Sequence, residues 1–214
     1  MVFLTVAFFI LPALAQQEAQ KAPIKKSLPD EALQDGSTVS SPATAAPSIG
    51  PYQHAVGIGV GQTFLAGDYG RNGQDAISAD IFYNYKASYT FDLLANFHYW
   101  KFEDGKKKVT LPGLALGIKS KFFQFDGFSP YVVAGLGFYR PYATRDLNGT
   151  FVETDKKLVF GSHFGVGTDL ALNDEVAVGI LAHYHNPFDV KQEVGGDLEG
   201  SYFKLLFTLY YYFY

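Results

Sequence analysis

The chain has 214 residues, 48% of them apolar, which suffices for one folded domain and excludes a wholly disordered protein. Its net charge of -4 is small and comes from dispersed residues, which argues against a nucleic-acid-binding protein. Cysteine is absent, so disulfides, thiolate metal sites and cysteine nucleophiles are excluded, whereas Tyr and Phe together are unusually frequent.

Residues 1–15 form an apolar segment that ends in Ala13 and Ala15, the small-x-small pattern of a signal-peptidase site. We predict a signal peptide that is cleaved between Ala15 and Gln16. An uncleaved anchor is disfavoured because Pro12 interrupts the segment and because a spanning helix needs roughly 20 residues. Such a signal peptide would direct export of the chain and then be removed.

Residues 16–52 are rich in Pro, Ala, Ser and Gln and contain almost no large apolar side chains. Such a segment buries too little surface to offset its chain entropy. We expect a flexible periplasmic tail that precedes a folded domain at 53–214.

From His54 onward, apolar and polar residues alternate with a period of two in about eight repeats separated by turn residues. This periodicity predicts β-strands. The third repeat, residues 89–99, shows it clearly. One face carries Tyr89, Phe91, Leu93, Ala95, Phe97 and Tyr99, and the other carries Thr90, Asp92, Asn96 and His98.

The two faces of these strands differ in polarity and size, and this difference indicates a membrane protein. The apolar faces are bulky, and the opposite faces are polar or very small. A membrane barrel turns apolar groups to lipid and encloses polar ones, the inverse of a soluble barrel. Short links near 86–88, 124–129 and 169–174 alternate with longer polar ones. The sequence therefore predicts an all-β, eight-stranded, antiparallel up-and-down transmembrane β-barrel with both termini in the periplasm.

Glycine occupies many inferred inward positions, where it would make room for large side chains from other strands. Candidates to fill that room are His98, Trp100, Tyr139 and His183. A filled interior is favoured over a narrow passage. The inferred inward glycines are Gly57, Gly59, Gly61, Gly113, Gly117, Gly135, Gly137, Gly161, Gly165, Gly167 and Gly179.

Four histidines point inward by parity, and imidazole is a ligand for zinc, copper or nickel. Parity gives no ligand distances, so an interior hydrogen-bonded network is favoured over a metal site, and no cofactor is predicted. The expected members of this polar network are Asp80, Asp92, His98, His163, Glu175, His183, His185 and Lys204.

An enzymatic barrel is a further possibility, because residues 182–186 partly resemble the His-x-Ser-Asn motif of outer-membrane lipid A deacylases. His183 matches the histidine of that motif, but His185 occupies the serine position. Without a hydroxyl there, the nucleophile of acyl transfer is missing. The sequence therefore predicts no enzyme.

As a whole, residues 53–214 resemble the small OmpA-like and OmpW-like outer-membrane barrel proteins. The resemblance rests on strand number, on the segments 129–138 (SPYVVAGLGF) and 160–167 (FGSHFGVG), and on the aromatic terminus at 209–214. Tyr212, Phe213 and Tyr214 resemble the signal by which the barrel assembly machinery recognises its clients.

The resemblance implies a location in the bacterial outer membrane, with outer-membrane lipid, lipopolysaccharide and the assembly machinery as partners. Two functions stay open. The first is a structural or surface-interaction role in the envelope. The second is a passive channel for small, hydrophobic molecules, as in OmpW-like proteins. A soluble lipocalin-like binder is a third, less favoured alternative.

Overall fold

The computed structural model describes residues 53–123, 125–147, 149–188 and 197–214. The predicted signal peptide with its cleavage site at Ala15 and Gln16, the predicted tail at 16–52 and most of the predicted loop after residue 187 lie outside the described residues.

Eight long strands form the barrel, and a short helix and a hairpin lie beyond its outer end. The helix α1 (Asp68–Asn72) follows the first strand, and the hairpin consists of β6 (Tyr142–Leu147) and β7 (Thr150–Glu153). The barrel strands are β1 (Gln53–Gly67), β2 (Ala76–Lys86), β3 (Phe91–Asp104), β4 (Lys107–Lys121), β5 (Phe128–Tyr139), β8 (Val159–Ala171), β9 (Val176–Pro187) and β10 (Gly200–Phe213).

All neighbouring barrel strands are antiparallel. Strand β5 pairs directly with β8, although the β6–β7 hairpin lies between them in the sequence. Pairing of β1 with β10, from His54 with Phe213 to Gly67 with Gly200, closes the sheet. The predicted eight-stranded antiparallel barrel is confirmed. Neither α1 nor the hairpin was predicted. Tyr89, which the sequence pattern assigned to the third strand, lies in the link before β3.

The outer wall carries the bulky apolar residues, as the inverted pattern predicted. On β10, Phe203, Phe207 and Phe213 are exposed, whereas Lys204 and Thr208 are buried. At a rise of about 3.3 Å per residue and a tilt of about 40°, the apolar face of this strand covers about 25 Å along the membrane normal. This height matches the apolar belt of a membrane barrel.

Among the described residues, no helix is both long enough and apolar enough to cross a membrane.

Candidate functional site in the barrel interior

The inward glycines lie against large rings from other strands. A Cβ atom at Gly57 would lie 2.4 Å from Cδ1 of Tyr210, and one at Gly113 would lie 2.5 Å from Nε2 of His98. Atoms at these distances would overlap, so a side chain at either position would force the neighbouring ring to shift. Glycine at these positions therefore lets the aromatic and imidazole rings fill the barrel.

The four inward histidines converge in the outer half of the interior. His98 comes from β3, His163 from β8, and His183 and His185 from β9. The ring centroids of His183 and His185 are 4.1 Å apart, those of His163 and His183 are 5.0 Å apart, and those of His98 and His185 are 5.1 Å apart. We call these four residues the histidine cluster.

A continuous hydrogen-bonded chain links the histidine cluster to a buried ion pair. Lys204 Nζ donates to Asp80 Oδ1 over 2.6 Å, and Asn96 Nδ2 donates to Asp80 Oδ2 over 3.0 Å. The Asn96 carbonyl then accepts from Nδ1 of His98 (3.2 Å), and the Tyr202 hydroxyl donates to Nε2 of the same ring (2.6 Å). These partners assign the proton of His98 to Nδ1.

His163 bridges the wall and the cluster. Its Nε2 donates to the carbonyl oxygen of Leu116 over 3.0 Å, so its Nδ1 accepts from Nε2 of His183 over 2.9 Å. His185 Nδ1 lies 3.0 Å from the Tyr139 hydroxyl. Nδ1 of His183 and Nε2 of His185 have no hydrogen-bond partner among the described residues.

The cluster does not present the ligand set of a metal site. Within the part of the chain that the structure describes, no three His, Cys, Asp or Glu side chains are placed to hold one ion. Most ring nitrogens are already committed to Asn96, Tyr202, Leu116 and one another. The geometry therefore favours the hydrogen-bonded network over the metal alternative.

A second polar group lies at the inner end of the barrel. Lys121 Nζ contacts Asp92 Oδ1 over 2.9 Å, and Lys119 forms an ion pair with Asp169 across β5. All four side chains are at least nine-tenths buried. Asp92 therefore belongs to this inner group and not to the histidine cluster, with which the sequence analysis had grouped it.

Two features of the predicted network differ from the structure. Glu175 is exposed in the turn before β9, where its backbone nitrogen and that of Val176 bond to the Asn173 side chain, so its assignment to the interior was wrong. The prediction also missed Lys119 and Asp169. Lys119 could have been found, because it follows the outward-facing Ile118 in the alternation of β4.

Three described segments meet over the end of the barrel that the sequence analysis predicts to face the cell exterior. Asp68 at the start of α1 accepts hydrogen bonds through Oδ2 from Nη2 of Arg145 and from the backbone nitrogen of Glu199, each over 3.0 Å. Tyr69 and Leu198 are fully buried beneath them. We call α1, Arg145 and residues 197–199 the outer lid. Because α1 contacts both β10 and the opposite strand β4, the lid spans the mouth.

Between the lid and the inner ion pairs, side chains fill the described interior in layers. Below the histidine cluster lies an apolar and aromatic layer that includes Phe82, Leu206 and Tyr210. A small, partly open pocket of 20 Å³ lies at the inner end, beside Lys86 and Asp169. Such a volume holds about one water molecule.

One part of the wall is less complete. Pairing between β2 and β3 ends at Asp80 and His98, although both strands continue outward. An open cleft of 270 Å³ lies on the outer surface there. Its lining is mostly apolar, with Ile58, Val60, Ala79, Ile81, Phe97 and Tyr99, and it also includes Asp80 and His98.

No protein-family model matches the sequence, and no curated protein matches it. Several solved structures do share its fold. The crystal structure of Neisserial surface protein A is 13% identical, with a TM-score of 0.57, over 75% of this chain and 97% of that one. The solid-state NMR structure of the outer membrane protein AlkL in lipid bilayers is 14% identical, with a TM-score of 0.54, over 89% and 97%.

The outer membrane protein OprG from Pseudomonas aeruginosa is similar to the same extent, with 10% identity and a TM-score of 0.52 over 78% of this chain and 98% of that one. At such identities the likeness shows the fold alone. The chain has the fold of small bacterial outer-membrane β-barrels. This fold and the apolar belt together place it in the outer membrane, as the sequence predicted.

Proposed function

We propose that this outer-membrane barrel is a non-enzymatic scaffold. Its filled interior stays closed to solutes, and its outer loops are presented at the cell surface. Its role is to support the envelope and to interact with surface partners. The observation that carries this proposal is the stacking of lid, histidine cluster, apolar layer and inner ion pairs along the barrel axis.

Burial of the histidines also argues against the deacylase alternative. His183 and His185 are fully buried within the barrel, whereas a lipid substrate would approach from the outer wall. The serine position of the motif is occupied by His185 itself. Acyl transfer has neither a hydroxyl nucleophile nor an accessible base at this place.

Conductance across a planar lipid bilayer tests the closed interior. We expect the purified, folded protein to produce no reproducible channel openings, because buried side chains of the histidine cluster, the apolar layer and the inner ion pairs fill the described interior. A variant without the lid contact, Asp68→Ala, is expected to stay silent as well, since the layers below the lid remain. Reproducible openings of the wild-type protein would refute the scaffold proposal.

The cleft between β2 and β3 favours a second candidate function, passive passage of small hydrophobic molecules. It offers an apolar surface on the wall next to Asp80 and His98 of the interior network. Passage would require the interior side chains beside it to move.

Uptake of the hydrophobic dye N-phenylnaphthylamine by intact cells separates the two functions. A channel predicts faster uptake in cells that make the protein, and loss of that increase when Ala79→Trp fills the cleft. The scaffold predicts equal uptake with and without the protein. Ala134→Trp is the matched control, because Ala134 is also exposed on the outer wall but lies on β5, away from the cleft.

A further inference from the structure

Two cations occupy the first outward positions above the apolar belt on one side of the barrel. On β3 the belt ends at Tyr99, which is followed outward by Lys101. On β5 it ends at Phe138, whose ring lies 4.8 Å from that of Phe160, and Arg140 follows. One outward step along a strand is two residues, or about 6.6 Å, so both cations lie at the level of lipid headgroups.

Arg140 is exposed and keeps its charge available. Its Nε donates to the carbonyl oxygen of Lys156 over 3.0 Å, which holds the start of the side chain in place. Among the described residues, no carboxylate pairs with its guanidinium. An orientated guanidinium without an acid partner is suited to bidentate contact with a phosphate.

Lys156 extends the same patch. Its Nζ lies 4.7 Å from the ring centroid of Tyr142 and 2.9 Å from Oε1 of Glu153. The Glu153 carboxylate raises the pKa of Lys156, so this ammonium stays protonated. Because the backbone of Lys156 accepts from Arg140, the two cations belong to one surface.

The acids of this surface are weak competitors for its lysines. Lys101 pairs with Glu103 over 2.5 Å, and Lys156 pairs with Glu153, with all four side chains about half exposed. Exposed pairs of this kind contribute little stability and exchange readily. Both lysines can therefore turn to a stronger anion that is held at the same level.

The cations of the outer lid differ in this respect. Arg71 and Arg145 both contact the carboxylate of Asp68, and Arg145 is largely buried. Their contacts with Asp68 connect the segments of the lid. Among the described residues, Lys101, Arg140 and Lys156 place exposed positive charge next to the apolar wall on the side formed by β3, β5 and the segment after β7.

We propose that this surface, formed by Lys101, Arg140 and Lys156 and named the cationic rim, binds the phosphorylated headgroup of an outer-leaflet lipid. The acyl chains would lie against the aromatic wall at Tyr99, Phe138 and Phe160, while the phosphates contact the cations. Basic side chains at this level attract anionic lipid headgroups. The site requires that the barrel spans the membrane, but it is independent of whether the interior conducts.

Native mass spectrometry of the protein in detergent, titrated with phosphorylated rough lipopolysaccharide, tests the cationic rim. We expect a triple variant, Lys101→Ala with Arg140→Ala and Lys156→Ala, to weaken binding by at least about tenfold, given three lost charges at headgroup level. The double variant Glu103→Gln with Glu153→Gln is expected to strengthen it, since the competing carboxylates are gone. Heat-modifiable mobility on gels verifies that each variant is folded.

Lys106→Ala with Lys107→Ala is the control for charge in general, because both lysines lie at the tip of the β3–β4 hairpin, farther from the belt. We expect its affinity to stay within about twofold of the wild type, because screened charges act only over a Debye length. The proposal is overturned if the triple variant binds like the wild type, if this control loses as much affinity, or if dephosphorylated lipopolysaccharide binds equally well. Competition by millimolar inorganic phosphate would likewise overturn it in favour of a free-anion site. None of these measurements depends on whether the barrel conducts ions, so their outcome is independent of the proposed closed interior.

Discussion

Replacing Asp80 by Ala is expected to lower the free energy of unfolding by about 3–5 kcal/mol, the usual cost of removing one partner of a buried ion pair. Asp80 accepts from Lys204 Nζ over 2.6 Å and from Asn96, and both charged side chains are almost completely buried. Without the carboxylate, the ammonium would remain in the interior with no anionic partner. Equilibrium urea unfolding in lipid vesicles, followed by fluorescence of the single tryptophan, Trp100, measures the change.

The matched control removes both charges, in Asp80→Ala with Lys204→Met. Replacement of a buried pair by apolar groups is often close to neutral, so the double variant should recover most of the lost stability. If Asp80→Ala alone costs less than about 1 kcal/mol, water reaches Lys204 and the interior at this level is not closed.

Replacing Phe207 by Arg on the outer wall is expected to cost about 2–4 kcal/mol, the value for a cation at the midplane of a membrane barrel. Phe207 lies midway along β10 and is 69% exposed. In a bilayer this exposure is contact with lipid, so a guanidinium there would lose its hydration. Unfolding in vesicles again gives the free energy.

Ser201→Arg provides the comparison on the same strand and face, because Ser201 precedes the apolar run of β10. Near the interface the same substitution should cost about 0–1 kcal/mol. Equal costs at the two positions would contradict the assigned depth of the strand.

Period-two alternation predicted which side chains of each strand face the interior, because parity is a local consequence of strand geometry. His183 and Lys204 were placed correctly for this reason. Their partners could not be predicted in the same way. The pairing of Lys119 with Asp169 joins β4 to β8 across β5, and this depends on the stagger of strands around the barrel.

The helix and the loops outside the strands are harder to predict from the sequence than the strands are. The helix α1 has five residues, fewer than two helical turns, so no amphipathic period exists to reveal it. Tyr69 in this helix is buried, with its ring 6.4 Å from that of Tyr202, and this contact between distant residues has no local sequence pattern. Glu175 was misplaced because it lies one residue before β9, and strand boundaries follow from turn contacts such as those of Asn173.

The orientation of interior side chains can thus be predicted from local sequence, whereas the structure of the outer loops cannot. Parity is fixed by the backbone of each strand, whereas the lid depends on Asp68 meeting Arg145 and Glu199 from distant parts of the chain. The cationic rim depends on both strand parity and tertiary contacts. Lys101 continues the alternation of β3, whereas Lys156 reaches the rim because the chain after β7 folds back onto this side of the barrel.

Thiol accessibility tests the closed interior most directly, because the sequence contains no cysteine and single replacements are unambiguous. Ser78 is fully buried, with its Oγ 2.6 Å from Oγ1 of Thr63. In lipid vesicles, Ser78→Cys should resist a water-soluble maleimide under conditions that fully modify Lys106→Cys at the exposed hairpin tip, and should react once the protein is unfolded. Modification of folded Ser78→Cys at the rate of Lys106→Cys would show an interior open to solutes and would contradict the closed scaffold.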